Sequence, residues 1–566
     1  MRSDRLAVAP LLWVLVVSVA AAQEFAPPEH LVHDWSTRHV IFAGLTPENL
    51  AASVAVDPRA RHSWINHGRH RFEPRRDHEP VPVGRGRRHH ERLATDWQMP
   101  ITAAVGPRVF PAKFGFDVNA APDCANDYVI FPTNNSDVPG ASGLNVRISL
   151  VGFNNLYTGP GPTGICPTPI SPATQPSVLF AYNTSTASGG KADQSPVLSL
   201  DGKKFAFVES NDGSGSDYTA FHVLTWKAGE GSLSGAAAPG DCSVGNSCMT
   251  TLVLNSARSD SRSSPFVDYA HDTAYVGDDG GMLHKVTPVF GGTPVELIGN
   301  GWPVQLHSPP DQIQSPVYDS VSGQIFVTDN LGTLYVVNAV SGAILKAIPV
   351  TNFTPSDPIV DSTNQTVFVF GTDSSFALDV WQYDTSGTLL RNIRAGVLAG
   401  SVNVYTGAFD NNYFTSPSSG MLYFAGSVNR VASLCAVGFT GTTMNASFLG
   451  PLALSTSSTT STPTPLTEIF NPSFSTANDR LFLGIDANCT NSGTDGCIES
   501  LDISNGFPSG ILNSLTLGTN GTAFSVSGII VDNVSPAAQA SSIYFESFPT
   551  GNFAQSAIKL TQSGLE

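Results

Sequence analysis

The chain has 566 residues and a formal net charge of −17, but only 13% of its residues are charged, and it carries 52 glycines and 40 prolines. The length is ample for a large buried core. The sparse charge and abundance of turn formers exclude a protein of long amphipathic helices and point to a β-rich chain with many turns.

Residues 1–22 read as a secretory signal peptide. Arg2 and Arg5 form the basic start, Leu11 to Ala20 a short apolar core, and Ala20-Ala21-Ala22 a small-residue cleavage site before Gln23. The apolar run is too short to span a bilayer, and no other segment could do so as a helix. The mature chain is therefore expected to be secreted or periplasmic, with no transmembrane segment. Residues 23–66 form an N-terminal extension with a strand at HVIFAG (39–44) and short helices opening at Thr46-Pro47 and Asp57-Pro58. This extension is expected on the side or rim of the main domain.

Residues 67–110 form a basic linker rich in His and Arg. From Arg59 to Arg92 there are ten arginines and four acids, a net of +6, leaving 19 basic and 42 acidic residues elsewhere, or −23. With neither aromatic interleaving nor periodicity, the tract reads as a solvated segment lying against an acidic domain rather than a nucleic-acid-binding arm or a metal site at His89-His90.

Residues 111–566 carry a repeat, most legible in SPVYDSVSGQIFVTDNLGTLYVVNAVSGAILK (315–346). β-Branched and aromatic runs are broken at short intervals by Gly, Asn, Asp and Ser, giving four strands and three turns. An x-Pro opening recurs at Ser195-Pro196, Ser264-Pro265, Ser315-Pro316, Asp357-Pro358, Ser416-Pro417 and Asn471-Pro472, with 42 to 69 residues between successive prolines. Proline at the first residue of a strand is compatible with the ladder. A four-stranded unit of this period is a propeller blade. The expected fold is an all-β propeller of four-stranded antiparallel blades, eight in number with seven as the alternative. The last unit lacks a fourth strand, which residues N-terminal to Phe114 are expected to supply, removing an exposed sheet edge.

Val336, Asn338, Ser341, Gly342 and Lys346 follow the spacing V-x-N-x-x-S-G-x-x-x-K. This resembles the outer-strand repeat of pyrroloquinoline-quinone-type propellers, A-x-D-x-x-T-G-x-x-x-W, with Lys346 where that family docks a Trp. Asp384 to Gly387 is a shortened echo. The resemblance implies the propeller fold. It also implies two kinds of relative: quinone-dependent alcohol and glucose dehydrogenases, and cofactor-free propellers such as the outer-membrane assembly lipoprotein, together with secreted bacterial propellers of no assigned activity. The dehydrogenases carry adjacent cysteines near the quinone and stack it on a Trp. This chain has no Cys-Cys, and Trp226, Trp302 and Trp381 offer no clear platform, so no quinone cofactor is expected.

Cys242 with Cys248 and Cys489 with Cys497 bracket short polar loops and are expected as disulfides in an oxidising compartment; Cys124 and Cys166 could pair within the first blade. Cys435, in VASLCAV, reads as a buried free thiol. No nucleophile elbow, zinc helix, P-loop or dinucleotide fingerprint occurs. The turns between second and third strands hold Glu209, Asp212, Asp278, Asp279, Asp329, Asn330, Asp373 and Asp486. Such oxygens suit a hard cation, so Asp278, Asp279, Asp329, Asn330, Asp212 and Asp373 are a candidate calcium face. They equally suit plain turn chemistry. No other cofactor is expected. The functional expectation is a monomeric, non-catalytic binding scaffold for a protein, glycan or cell-surface ligand. The alternative is an extracytoplasmic enzyme of the same fold, either a quinone-dependent dehydrogenase or a hydrolase or lyase acting on a polymer.

Overall fold

The structure is a computed structural model. It describes residues 32–33, 40–42, 93–115, 123–158, 166, 175–211, 219–240, 245–255, 260–307, 311–396, 404–456, 461–471, 478–490, 495–517, 524–532, 542–549 and 555–562. Eight antiparallel sheets, each built on four strands, follow one another along the chain and form an eight-bladed propeller. Blade 4 shows the pattern, with strands Val317–Asp319, Gln324–Thr328, Thr333–Asn338 and Ile344–Pro349 from the channel outward. Its second and third strands are buried through nearly every residue, because each blade packs on a neighbour at both faces. The outer strand is exposed. That is why the central strands read as continuous apolar runs rather than alternating ones.

Blade 8 is closed by the N-terminal side of the chain. Leu93–Pro100 pairs antiparallel with Ser556–Gln562 as the outermost strand, so the sheet that ends the sequence has no missing edge. The propeller thus takes in residues assigned above to the linker. The only helical elements after residue 110, among the described residues, are Asn411–Thr415, capped by Asp410, and a 3-10 turn at Pro417–Ser419.

Four of the six x-Pro openings lead into inner strands, and there they act as latches between blades. The backbone N–H of Phe110 donates to Ser195 Oγ (2.9 Å), that of Ser195 to Ser264 Oγ (3.1 Å), that of Ser264 to Ser315 Oγ (3.0 Å) and that of Ser315 to Asp357 Oδ1 (2.9 Å). The belt therefore runs over blades 1 to 5. The other two openings differ from expectation. Pro417 starts the 3-10 turn, and the inner strand of blade 6 is Ala408–Phe409. Asn471 ends the inner strand of blade 7, Thr467–Asn471, which opens instead after Thr464-Pro465.

The outer-strand motif docks neighbouring blades. Asn338 Oδ1 accepts the N–H groups of Val340 and Ser341. Gly342, at φ 67°, sits so close to Gly301 O of blade 3 that a Cβ would lie 2.5 Å from it. Gly387 of blade 5 leaves the same kind of room for Ile348 and the Lys346 stem of blade 4, so the lysine methylenes occupy the docking position.

The described pieces of the N-terminal extension, 32–33 and 40–42, lie inside the ring, not on its rim. Val32–His33 pairs antiparallel with the inner strand of blade 5, and Val40–Phe42 pairs parallel with the inner strand of blade 1 (Ala112–Gly115), each on the channel side. The register is Val32 to Asp361 and Phe42 to Gly115, the ends of those inner strands. Calling the face where inner strands begin the upper face, Val32–His33 runs upward along blade 5 and Val40–Phe42 runs downward along blade 1, on the opposite side of the ring. The sequence reading missed this because two- and three-residue strands carry no period; they are specified by the unpaired inner edges they complete. The expected helices at 46 and 57 and the basic tract lie outside the described residues.

Candidate functional site

Above the two N-terminal strands that line the lower channel, the upper mouth is a pocket of about 460 Å³. Its walls are the loops that lead into the inner strands: 105–109 for blade 1, 191–194 for blade 2, 260–262 for blade 3, 312–314 for blade 4, with Thr354 and Tyr405 from blades 5 and 6. The latches fix these loops, since each latch residue lies within three residues after one of them.

Arg108 is held in place. Its guanidinium donates to Gln314 Oε1 and to the carbonyl of Pro355 (3.3 Å), and lies 5.8 Å from the centre of the Tyr405 ring. Arg262 is exposed at the rim, and Lys191 is half-buried. Three acids face these cations. Asp193 accepts from Ser210 Oγ (2.9 Å) and Gln194 Nε2 (3.2 Å); burial, then the nearby Asp260 charge, raises its carboxyl above the ordinary value. Asp279 donates its backbone N–H to Asp260 O at 3.1 Å. Its Oδ1 has no hydrogen-bond partner, and burial, then Asp260, pushes its carboxyl up to about 7.

The turn acids fall into a repeated arrangement that the sequence did not reveal. In blades 3, 4 and 5 one oxygen of Asp278, Asp329 and Asp373 accepts the N–H groups two and four residues on, at 2.8 to 3.0 Å. The second oxygen meets His284 Nε2 (3.3 Å), the Tyr335 hydroxyl (3.0 Å) and Arg394 Nε (2.9 Å), respectively. His284 also bonds Glu296 at 2.6 Å. Burial pulls its pKa down, but the two carboxylates outweigh this and hold it at about 9. Glu209 meets His222 of blade 2 in the same way, at 2.9 Å. Asn330 Oδ1 accepts the N–H of Gln312, and Asp212 lies outside the described residues. The structure therefore brings Asp279 beside Asp260, which lines the mouth, and sets Asp278, Asp329 and Asp373 each in its own turn. Among the described residues the one group of three His, Cys, Asp or Glu with ligand atoms within 4.8 Å of one another is Cys489, Cys497 and Glu499, and its two sulfurs are joined to each other.

Disulfides join Cys124 to Cys166 and Cys489 to Cys497. Cys248 is disulfide-bonded, and its expected partner Cys242 lies outside the described residues. Cys435 is a free, buried thiol, which burial pushes up to about 12. Trp226, Trp302 and Trp381 pack within blades and do not line the mouth.

A second polar cluster seals the ring where blade 8 meets blade 1. Lys113 pairs with Asp532 at 2.9 Å and Lys559 with Asp96 at 2.7 Å, while the Tyr157 hydroxyl donates to Asp127 (2.6 Å) and Asp532 (3.1 Å), all buried. It pairs the buried charges where the ring closes.

Arg108, Lys191, Asp193, Asp260 and Arg262 were not singled out from sequence. The available signal was position: Lys191, Asp193, Asp260 and Arg262 each stand within five residues before a Ser-Pro opening.

No family model and no curated protein matches the chain. Among solved structures it is similar to BamB from Moraxella catarrhalis, at 12% sequence identity over 69% of this chain and 96% of that one, with a TM-score of 0.33. The fold assignment stands on the strand pairings.

Proposed function

We propose that this protein is an extracytoplasmic, non-catalytic binding propeller that takes its ligand in the upper channel mouth. One observation carries the reading. The mouth is a polar pocket walled by loops from six blades, and below it two N-terminal strands narrow the channel from opposite sides, one along blade 5 and one along blade 1, which favours holding a ligand at the mouth over passing it through. Rigid loops on a latched ring suit preorganised recognition. Disulfides support an oxidising compartment. The test is binding of the mature protein to oligosaccharide and peptide arrays, with Arg108→Ala alongside. Loss of the same hits in the variant supports the mouth; hits unchanged by it place binding elsewhere.

A second reading, a hydrolase or lyase acting at a polymer end, draws on Asp279 and Asp260. A carboxyl poised near neutral pH with a second carboxylate beside it is the pairing that general acid–base chemistry uses. Release of new reducing ends by wild type but not by Asp279→Asn would favour it over the scaffold reading.

A further inference from the structure

We propose that the ligand taken at the mouth is the end of an acidic oligosaccharide, its carboxylate or sulfate held by Arg108 and Arg262 and its hydroxyls by the surrounding amides. This rests on the mouth being the binding site.

The first ground is charge placement. Outside the basic tract only 19 cationic residues serve a chain of 566, yet three of them, Arg108, Lys191 and Arg262, line this one pocket, from successive blades 1, 2 and 3. The hydrogen bonds of Arg108 go to neutral acceptors, Gln314 Oε1 and Pro355 O, so its charge is oriented but not neutralised. Arg262 is exposed, and among the described residues no carboxylate is in ion-pair contact with it, although its charge acts on Asp279. A planar guanidinium held in this way matches a carboxylate or sulfate through two parallel bonds.

The second ground is what surrounds the cations. Gln194, Gln312, Gln314 and Asn134 offer amides, and Ser210 and Thr354 hydroxyls, which both donate and accept. That suits a polyhydroxylated ring better than an apolar side chain. The one aromatic in the wall, Tyr405, has its face covered by Arg108. It offers no open platform for stacking an uncharged sugar, so recognition falls to charge and hydrogen bonds. The third ground is that two N-terminal strands narrow the channel below from opposite sides, which favours a chain end.

The acids at the mouth set the conditions. Asp279 faces Asp260, Asp278, Arg262 and Gln312, and Asp193 faces Asp260, Lys191, Ser210 and Gln194. Burial favours the protonated form of both Asp279 and Asp193, so the cations dominate most at mildly acidic pH.

The experiment is titration calorimetry of the full mature chain at pH 6 with trigalacturonate, its fully methyl-esterified form, and a sulfated galactose trisaccharide. Trigalacturonate, the sulfated sugar or both should bind, and which of them does identifies the anionic group. The neutral ester should bind at least tenfold more weakly, and Arg262→Ala, at an exposed site that does not threaten folding, should weaken acidic binding about tenfold, roughly 1.4 kcal/mol. Equal binding of acid and ester, with Arg108→Gln abolishing both, would overturn the acidic preference while leaving the mouth as the site. Binding of the acidic sugars unaffected by Arg108→Gln and Arg262→Ala would remove the mouth itself. No binding of either acidic sugar would overturn the inference outright.

Discussion

The backbone N–H of Ser195, leading into blade 2, donates to the hydroxyl of Ser264, leading into blade 3, across 3.1 Å. Both serines are buried, so removing the acceptor strands a buried donor. Ser264→Ala should therefore cost about 1–3 kcal/mol, read as a lower urea midpoint. Ser264→Thr, which keeps the hydroxyl, should recover much of it. Equal stability of Ser264→Ala and wild type would mean that the latch is ornamental.

That relationship shows how far the sequence could be read. The Ser-Pro repeats announced the blades, and the missing fourth strand announced the closure by Leu93–Pro100. They could not announce that the acceptors at these openings take a bond from the preceding blade, because the donors lie 42 to 85 residues away. Ser416-Pro417 misled for the converse reason: a local x-Pro signal also suits a 3-10 turn, and tertiary pairing chose Ala408–Phe409 as the inner strand. The mouth was illegible because its cations come from three separate loops with no common spacing. The seating of the N-terminal strands on two inner strands was illegible because only the ring's geometry makes an inner edge available.

Stability should depend on pH with a definite sign. Asp279 and Asp379 are pushed up to about 7 and Glu499 to about 8, in each case first by burial, while His284 is held at about 9. Each group binds more protons folded than unfolded between its ordinary value and its raised one. The unfolding free energy therefore falls as pH rises through these values. Glu209 and Asp502, held low by His222 and by Ser504 with Arg480 against the opposing effect of burial, lose stability only on acidification below the usual carboxylate range. The thermal midpoint should be highest near pH 5–6 and decline steadily to pH 9. A midpoint that rises across that interval would contradict the buried-acid picture.

Cys124–Cys166 closes a separation of 42 residues in blade 1. Loop-closure entropy puts its contribution at about 3–4 kcal/mol. The double change Cys124→Ser with Cys166→Ser should lower the denaturation midpoint markedly more than Cys435→Ser, which breaks no bridge. Similar midpoints for the two variants would show that the bridge constrains little.

Asp329 spends one oxygen on two turn amides and the other on Tyr335. Asp329→Ala should destabilise by about 1–3 kcal/mol, and Tyr335→Phe by less. With its lone pairs so occupied, the turn has little left for a cation. Millimolar calcium should move the thermal midpoint of wild type by no more than a degree or so. A calcium shift of several degrees that Asp279→Asn or Asp329→Asn abolishes would instead establish the acid turns as a cation face.

The central claim is that the upper channel mouth holds the ligand. Hydrogen–deuterium exchange of the full mature chain, with and without saturating trigalacturonate at pH 6, tests it most directly. The account predicts slowed exchange confined to peptides covering 105–109, 191–194, 260–262 and 312–314. Slowed exchange confined to outer strands such as Ile344–Pro349, or no protection anywhere in the mouth loops, would contradict it.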